Sequence, residues 1–300
     1  MNQQQSTPSP PEPSGALSGQ TVAGVELQRL IGKGGMAEVY LGRHLELDQP
    51  VAFKILLSTL RDDPNLMNLL QREAAALVSM DHPHIVNCVD CNVYHGRPYI
   101  IMDLLEGIPL ADRLAYLKAR GLVPALSIVD HVLQAAASAL DYAHQQGIVH
   151  RDLKPANLML VRDEQEINPT QPLTKDIQVV LTDFGVASLR DATEQQGMIV
   201  GTPDYMSPEQ ASGQAVDPRS DTYSLGVIVH QMLVGTVPQK RDKNLVQSLQ
   251  NGPWGAAESL QANTPQRLQR VVEQALQAQP GSRFRRAGHM ARAFSRALQA

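Results

Sequence analysis

No stretch of this 300-residue chain approaches the run of about eighteen apolar residues that a membrane-spanning helix needs. The N-terminus also lacks the order of an export signal, a charged stretch followed by an apolar one. These absences predict a cytoplasmic protein without a membrane span of its own. Cysteine is scarce: Cys88 and Cys91 are the two present. Their C-x-x-C spacing occurs in redox and zinc sites. No second Cys/His pair of zinc spacing accompanies them, however, and His82 and His84 lack a third partner of that kind. They read as ordinary reduced thiols. A broad excess of basic charge is missing too. Twenty-six Lys and Arg stand against thirty Asp and Glu, a net charge of −4, which gives no reason to expect nucleic acid or anionic lipid as a partner.

What is present is an ordinary soluble composition, 43% hydrophobic and 19% charged, with enough apolar residues for a sizeable core. The length suits one large domain or two lobes. Residues 1–20 are rich in Pro, Ser and Gln and predict a disordered tail. From Val25 the pattern becomes one of short strands, with Val39, Leu41, Val51, Phe53 and Ile55 alternating with polar or small residues. A helix follows, capped by Asp63 with Pro64 at its first position. Its apolar face is Leu66, Leu69, Leu70, Ala74 and Leu77, and it stops at Asp81-His82-Pro83. Ile85–Val89 and Tyr99–Met102 are again strand-like. Beyond Gly107 the chain turns helical. Ser127–Gln146 has one apolar side and Gly147 as its stop, and Asp221–Val234, apolar nearly all round, reads as a buried central helix. The strand-rich and helix-rich parts meet near Asp103–Gly107.

Six segments carry chemistry. Gly32-Lys33-Gly34-Gly35-Met36-Ala37-Glu38-Val39 is a glycine cluster whose amides could approach a polyphosphate. It neither opens a helix nor ends in Gly-Lys-Ser/Thr, so it reads as a flap between antiparallel strands, or as a plain hairpin turn. Lys54 shares a strand face with Ala52. Glu73 falls on the apolar stripe of its helix, where a carboxylate needs a partner; Lys54 is the natural one, unless Glu73 lies at the edge of the stripe and reaches solvent. His150-Arg151-Asp152-Leu153-Lys154-Pro155-Ala156-Asn157 follows a helix stop. Within it Asp152 can accept a hydroxyl proton, Lys154 can neutralise a moving phosphoryl group and Asn157 offers an oxygen to a metal. Asp183-Phe184-Gly185 supplies a second hard oxygen ligand. Gly201-Thr202-Pro203 through Ser207-Pro208-Glu209 precedes Asp221 and Arg283, and Glu209 with Arg283 is a candidate buried pair.

In this order the six segments resemble the eukaryotic-like, or Hanks-type, protein kinase family in its bacterial serine/threonine branch, over roughly Val25 to Leu298. The resemblance implies an α+β fold with a small antiparallel sheet lobe, a larger mainly helical lobe and ATP in the cleft. The implied lobes run over about 21–103 and 104–298 of a domain spanning 21–300. It implies that Gly32–Val39 covers the ATP phosphates and that Lys54 holds the α/β-phosphates and pairs with Glu73. Met102 would gate the adenine pocket and the backbone of Asp103 and Leu105 would bind the base edge. Ile31, Val39, Ala52, Leu105 and Met159 would sandwich the ring. Asp152 is then the base and Lys154 the γ-phosphate contact, with Asn157 and Asp183 holding Mg²⁺, or Mn²⁺ in its place. Arg151 would grip a phosphorylated activation segment, with Thr193 and then Thr202 as acceptors. Protein substrates are implied, the chain itself among them.

Three departures stand out. Ala37 replaces a frequent third glycine. Asp152 and Asp183 lie 31 positions apart, longer than usual, with residues about 162–176 resembling an inserted surface loop. Thr236-Val237-Pro238 lacks a common aromatic, which bears on substrate docking. A partner-binding pseudokinase and a small-molecule phosphotransferase are the alternative readings.

Overall fold

Strand pairing organises the first part of the chain and helix packing the second. The computed structural model describes residues 15–34, 37–57, 76–162, 167–184, 204–238, 260 and 264–299. The described residues form two units, one of residues 15–57 and 88–104, the other of 76–87 and everything from 105 onward.

The first unit is a six-stranded antiparallel sheet of β1 (Thr21–Val22), β2 (Val25–Lys33), β3 (Ala37–His44), β4 (Gln49–Leu56), β5 (Cys88–Tyr94) and β6 (Arg97–Asp103), in the order β1-β2-β3-β4-β6-β5. Alternation sends Val51, Phe53 and Ile55 of β4 to one face, where they pack with Val25, Leu27, Tyr40, Tyr99 and Ile101. The opposite face carries two cross-strand rows, Val39–Lys54–Ile100 and Leu41–Ala52–Met102. Of the tail expected over 1–20, residues 1–14 lie outside the described residues and residues 15–20 are ordered. Leu17 enters the core of this unit, and Gly15–Gln20 form turns that pair with β2 through Gly19 N to Leu27 O (2.7 Å). One apolar side chain in a polar stretch offsets the ordering of a few residues, a local effect that average composition hides.

The second unit holds a three-stranded sheet, β7 (Gly107–Pro109), β8 (Leu158–Val161) and β9 (Gln178–Leu181). Its helices are α1 (Leu110–Lys118), α2 (Leu126–Gln145), α3 (Pro208–Ala211), α4 (Pro218–Val234), α5 (Gln266–Ala275) and α6 (Ala287–Gln299). α4 starts three residues before the sequence suggested, because Asp217 caps it by accepting from Arg219 N (2.8 Å) and Pro218 takes its first position. It is buried from Ser220 to His230 and ends at Gly235, whose φ is +83°. Gly226 lets α4 approach α5 closely: a Cβ there would stand 2.8 Å from the Ala275 Cβ. Residues 76–87 belong to this unit, not to the small lobe as expected. They pair with β9 through Val86 N to Leu181 O (3.0 Å) and Leu181 N to His84 O (2.9 Å).

Of the expected surface loop at about 162–176, residues 163–166 lie outside the described residues, and so does most of the helix expected from Asp63. The rest of the loop is pinned. Ile167 and Ile177 are buried, Arg162 pairs with Asp176 at 3.1 Å, and Arg113 donates to the Pro169 carbonyl. Among the described residues no helix is long and apolar enough to cross a membrane.

Candidate active site

The β2–β3 hairpin brings Gly32 opposite Val39 and Lys33 opposite Glu38, and Gly34 N donates to Ala37 O (2.9 Å). Gly35 and Met36 lie outside the described residues. A Cβ on Gly32 or Gly34 would meet protein no nearer than 3.7 Å. The protein's own packing therefore does not demand glycine here, whereas a phosphate approaching the backbone would. Ile31 lies where the register slips between Leu30 and Gly32 and is 40% exposed. The Glu38 side chain faces inward instead. It accepts from Tyr40 OH (2.7 Å) and Lys33 Nζ (2.9 Å), and these bonds hold its carboxyl below the ordinary range. Lys54 is buried in the same row as Val39, and Ala52 lies directly across from Met102. Glu73, the expected partner of Lys54, lies outside the described residues. Asp103 closes β6 opposite Val51 in the first unit, and half-buried Leu105 opens the second.

The loop after α2 is held from beneath. Gly147 ends the helix at φ +79°, and Arg151 sits at φ +63°, a conformation that a non-glycine residue adopts at a cost. Asp221 of α4 supplies the compensation. Its Oδ2 accepts from His144 Nε2 (2.7 Å) and His150 N (2.8 Å), and its Oδ1 accepts from Arg151 N (2.8 Å). Burial alone would raise the Asp221 carboxyl; the His144 and His150 interactions outweigh it and hold the group ionised below its ordinary range. Gln210 Nε2 grips the Arg151 carbonyl from the other side at 2.6 Å.

On this support Lys154 Nζ donates to Asp152 Oδ2 (2.9 Å) and Asn157 Nδ2 donates to Asp152 O (2.9 Å). With its nitrogen engaged, Asn157 presents Oδ1 as its remaining polar atom. The β8–β9 register then brings in the last group. Leu158 faces Leu181, Thr182 N donates to Asn157 O (2.9 Å), and Asp183 follows at φ +66°. His150 Nε2 bonds to Thr182 O (2.9 Å), and the buried Phe184 ring lies 4.7 Å from the His150 ring. Asp152, Lys154, Asn157 and Asp183 therefore share one end of the β8–β9 ladder. Met159, half-buried in β8, faces Pro109.

Such a site supplies one amide and two carboxylate oxygens. That donor set fits a hard divalent cation whose shell is completed by substrate phosphates better than a cage made by protein alone. Among the described residues no group of three His, Cys, Asp or Glu could hold a metal by itself. Burial pushes the Cys88 thiol up to about 12, which disfavours its thiolate; Cys91 lies in the same strand.

Glu209 and Arg283 form the buried pair expected, with two contacts of 2.7 Å; Ser220 adds a bond to Glu209, and the guanidinium stacks over Tyr223. Thr193 and Thr202 lie outside the described residues. Sequence reading gave Asp221, His144 and Gln210 no role. For Asp221 a signal existed: a carboxylate within a helix apolar nearly all round must find donors elsewhere.

Residues 25–294 match the family described as Protein kinase domain. Serine/threonine-protein kinase Pkn1 of Myxococcus xanthus is 39% identical over 274 residues, covering 89% of this chain and 37% of that protein. Serine/threonine-protein kinase PknF of Mycobacterium tuberculosis is 35% identical over 286 residues, covering 93% of this chain and 57% of that one. The chain thus spans from just over a third to just over half the length of these relatives. Among solved structures, the Mycobacterium tuberculosis PknI kinase domain is similar at a TM-score of 0.72 with 29% identity, over 93% of this chain and 98% of that one.

Proposed function

This chain belongs to the protein kinase family, and from that premise we propose that it transfers the γ-phosphate of ATP to serine or threonine hydroxyls of proteins. The observation that carries the proposal is the grouping of Asp152, Lys154, Asn157 and Asp183 at one end of the β8–β9 ladder. Asp152 accepts the proton of the acceptor hydroxyl as its oxygen forms a bond to the γ-phosphorus. The bond from that phosphorus to the bridging oxygen of ADP breaks in line. Lys154, 2.9 Å from Asp152, holds that carboxylate in place and offsets charge on the moving phosphoryl group. Lys54 engages the α/β-phosphates and pairs with Glu73, while the amides of Gly32–Val39 cover the triphosphate. Ile31, Ala52, Val39, Met102, Leu105 and Met159 take the adenine, with its edge on the backbone of Asp103 and Leu105.

Asn157 and Asp183 would hold Mg²⁺, or Mn²⁺ in its place, which when bound screens the phosphate charge. Arg151, with Thr193 or Thr202 as phosphate acceptor, would order the segment between Asp183 and Glu209. The cytoplasm, where ATP and Mg²⁺ are abundant, is the proposed location.

Asp152→Asn tests the reading. Transfer to a protein acceptor should fall by about 10²–10⁴-fold, the contribution typical of a positioned general base, with ATP affinity within about threefold of the parent. Parent-like transfer by the variant would remove Asp152 from the mechanism.

A further inference from the structure

We propose that the solvent-facing side of α6 docks an acidic segment of the protein substrate, an inference that rests on the kinase reading and extends it to substrate choice. Charge on this chain is unevenly distributed. Between Gln274 and Ala300 there is no Asp or Glu, while five arginines and a histidine occur. Arg283 is engaged by Glu209. Arg285, Arg286, His289, Arg292 and Arg296 are exposed. Positions 289, 292 and 296 follow one helical stripe, and 285 and 286 lead into it. Among the described residues none of these four arginines is ion-paired with a carboxylate. Two carboxylates of α2 face α6: Asp130 accepts from Ser295 Oγ (2.5 Å), and Asp141 accepts from Gly288 N (3.2 Å) through Oδ2, while its buried Oδ1 has no partner among the described residues and lines a cavity with Arg292 without pairing with it.

A second observation shows that the helix itself does not ask for these charges. Arg285 and Arg286 stand at the N-terminal, electropositive end of α6, whose first turn holds no acid. Arg292 and Arg296 are like charges at i, i+4. Both arrangements are unfavourable in the unpartnered unit, and an acidic chain laid along the stripe relieves both. Arg285 also lines a cavity of about 460 Å³ with Asp217, Arg219 and Arg283. That cavity lies at the start of α4, whose Asp221 holds the catalytic loop. A protein chain is favoured over a bilayer because the apolar side of α6, with Met290, Ala291 and Phe294, is buried and has nothing to insert. Nucleic acid is disfavoured because the chain as a whole carries a net charge of −4 and the stripe offers no Phe, Tyr or Trp for base stacking.

The test compares two peptide acceptors identical around their serine, one carrying a run of glutamates beyond it. At low salt the acidic peptide should show a KM about tenfold lower, shrinking to less than about twofold near 0.5 M salt, as screened charge pairing requires. Replacing Arg285, Arg286, Arg292 and Arg296 together by Gln should abolish the difference and leave turnover of the plain peptide unchanged. The same variant should unfold at a temperature no lower than the parent, since the charges removed repel one another. An equal KM for the two peptides, or an advantage that survives the substitutions, overturns the proposal. So does tighter binding to phosphatidylserine vesicles or duplex DNA than to the acidic peptide. Fluorescence anisotropy of the labelled peptides reads docking without turnover. Failure of the plain peptide as an acceptor would therefore count against the kinase reading, and absent peptide binding against the docking surface.

Discussion

Asp221 concentrates on two oxygens what three donors need: the His144 imidazole and the amides of His150 and Arg151. Asn in its place keeps one acceptor oxygen and turns an NH₂ toward N–H groups. The Arg151 backbone then loses the bond that sustains its positive φ. Asp221→Asn should lower kcat by about 10²-fold, the scale of a small misplacement of catalytic groups, with a smaller effect on ATP affinity. Steady-state kinetics with ATP titration checks the split. Glu209 is a second residue whose charge is built in. Burial would raise its carboxyl, but Arg283 and Ser220 outweigh that and hold it below the ordinary value of 4.5, as the donors of Asp221 hold that group below 3.8. Both folded values lie under the unfolded ones. Their stabilisation is therefore complete above the ordinary carboxylate range and is lost as pH falls through the depressed values. Thermal unfolding between pH 6 and 3 should show a falling midpoint. Glu209→Gln should fall less steeply from a start about 3 kcal/mol lower, the scale for breaking a buried pair.

At the scale of elements, the β8–β9 ladder brings together two motifs 31 positions apart in sequence: strand register makes Asn157 and Thr182 neighbours, so Asp183 arrives beside the loop of Asp152. The grouping of Asp152, Lys154 and Asn157 was legible in sequence because all three fall in one short loop after the Gly147 helix stop. Their supports were less so. Asp221 lies some seventy positions from the amides it binds, and no local pattern reports such a partner. The start of α4 was present in the sequence as Asp217-Pro218, but the apolar run that follows draws the boundary inward. The N-terminal turn was missed for the opposite reason, a polar average concealing one buried leucine. Leu17 N also meets Tyr40 OH (3.4 Å), and that hydroxyl donates to Glu38 at the stem of the glycine hairpin. Leu17→Ala should cost about 2–3 kcal/mol in denaturant unfolding, as loss of a leucine at the edge of a core does. An unchanged midpoint would mean that residues 15–20 do not contribute to the core of the first unit.

For the whole molecule, a net charge of −4 concealed a C-terminal stretch with no acids at all, so the basic face of α6 emerged once burial separated Arg283 from its exposed neighbours. Two units carry the site residues. The first carries the glycine hairpin and Lys54, the second the acid, amide and lysine proposed for phosphoryl transfer. The proposed chemistry requires residues of both to act on one ATP. Phosphoamino-acid analysis tests this most directly, after incubation of the purified chain with γ-labelled ATP, Mg²⁺ and a mixture of protein acceptors. A serine/threonine kinase places the label in phosphoserine and phosphothreonine. Bound ATP with no label in protein, or label confined to added small molecules, would contradict it.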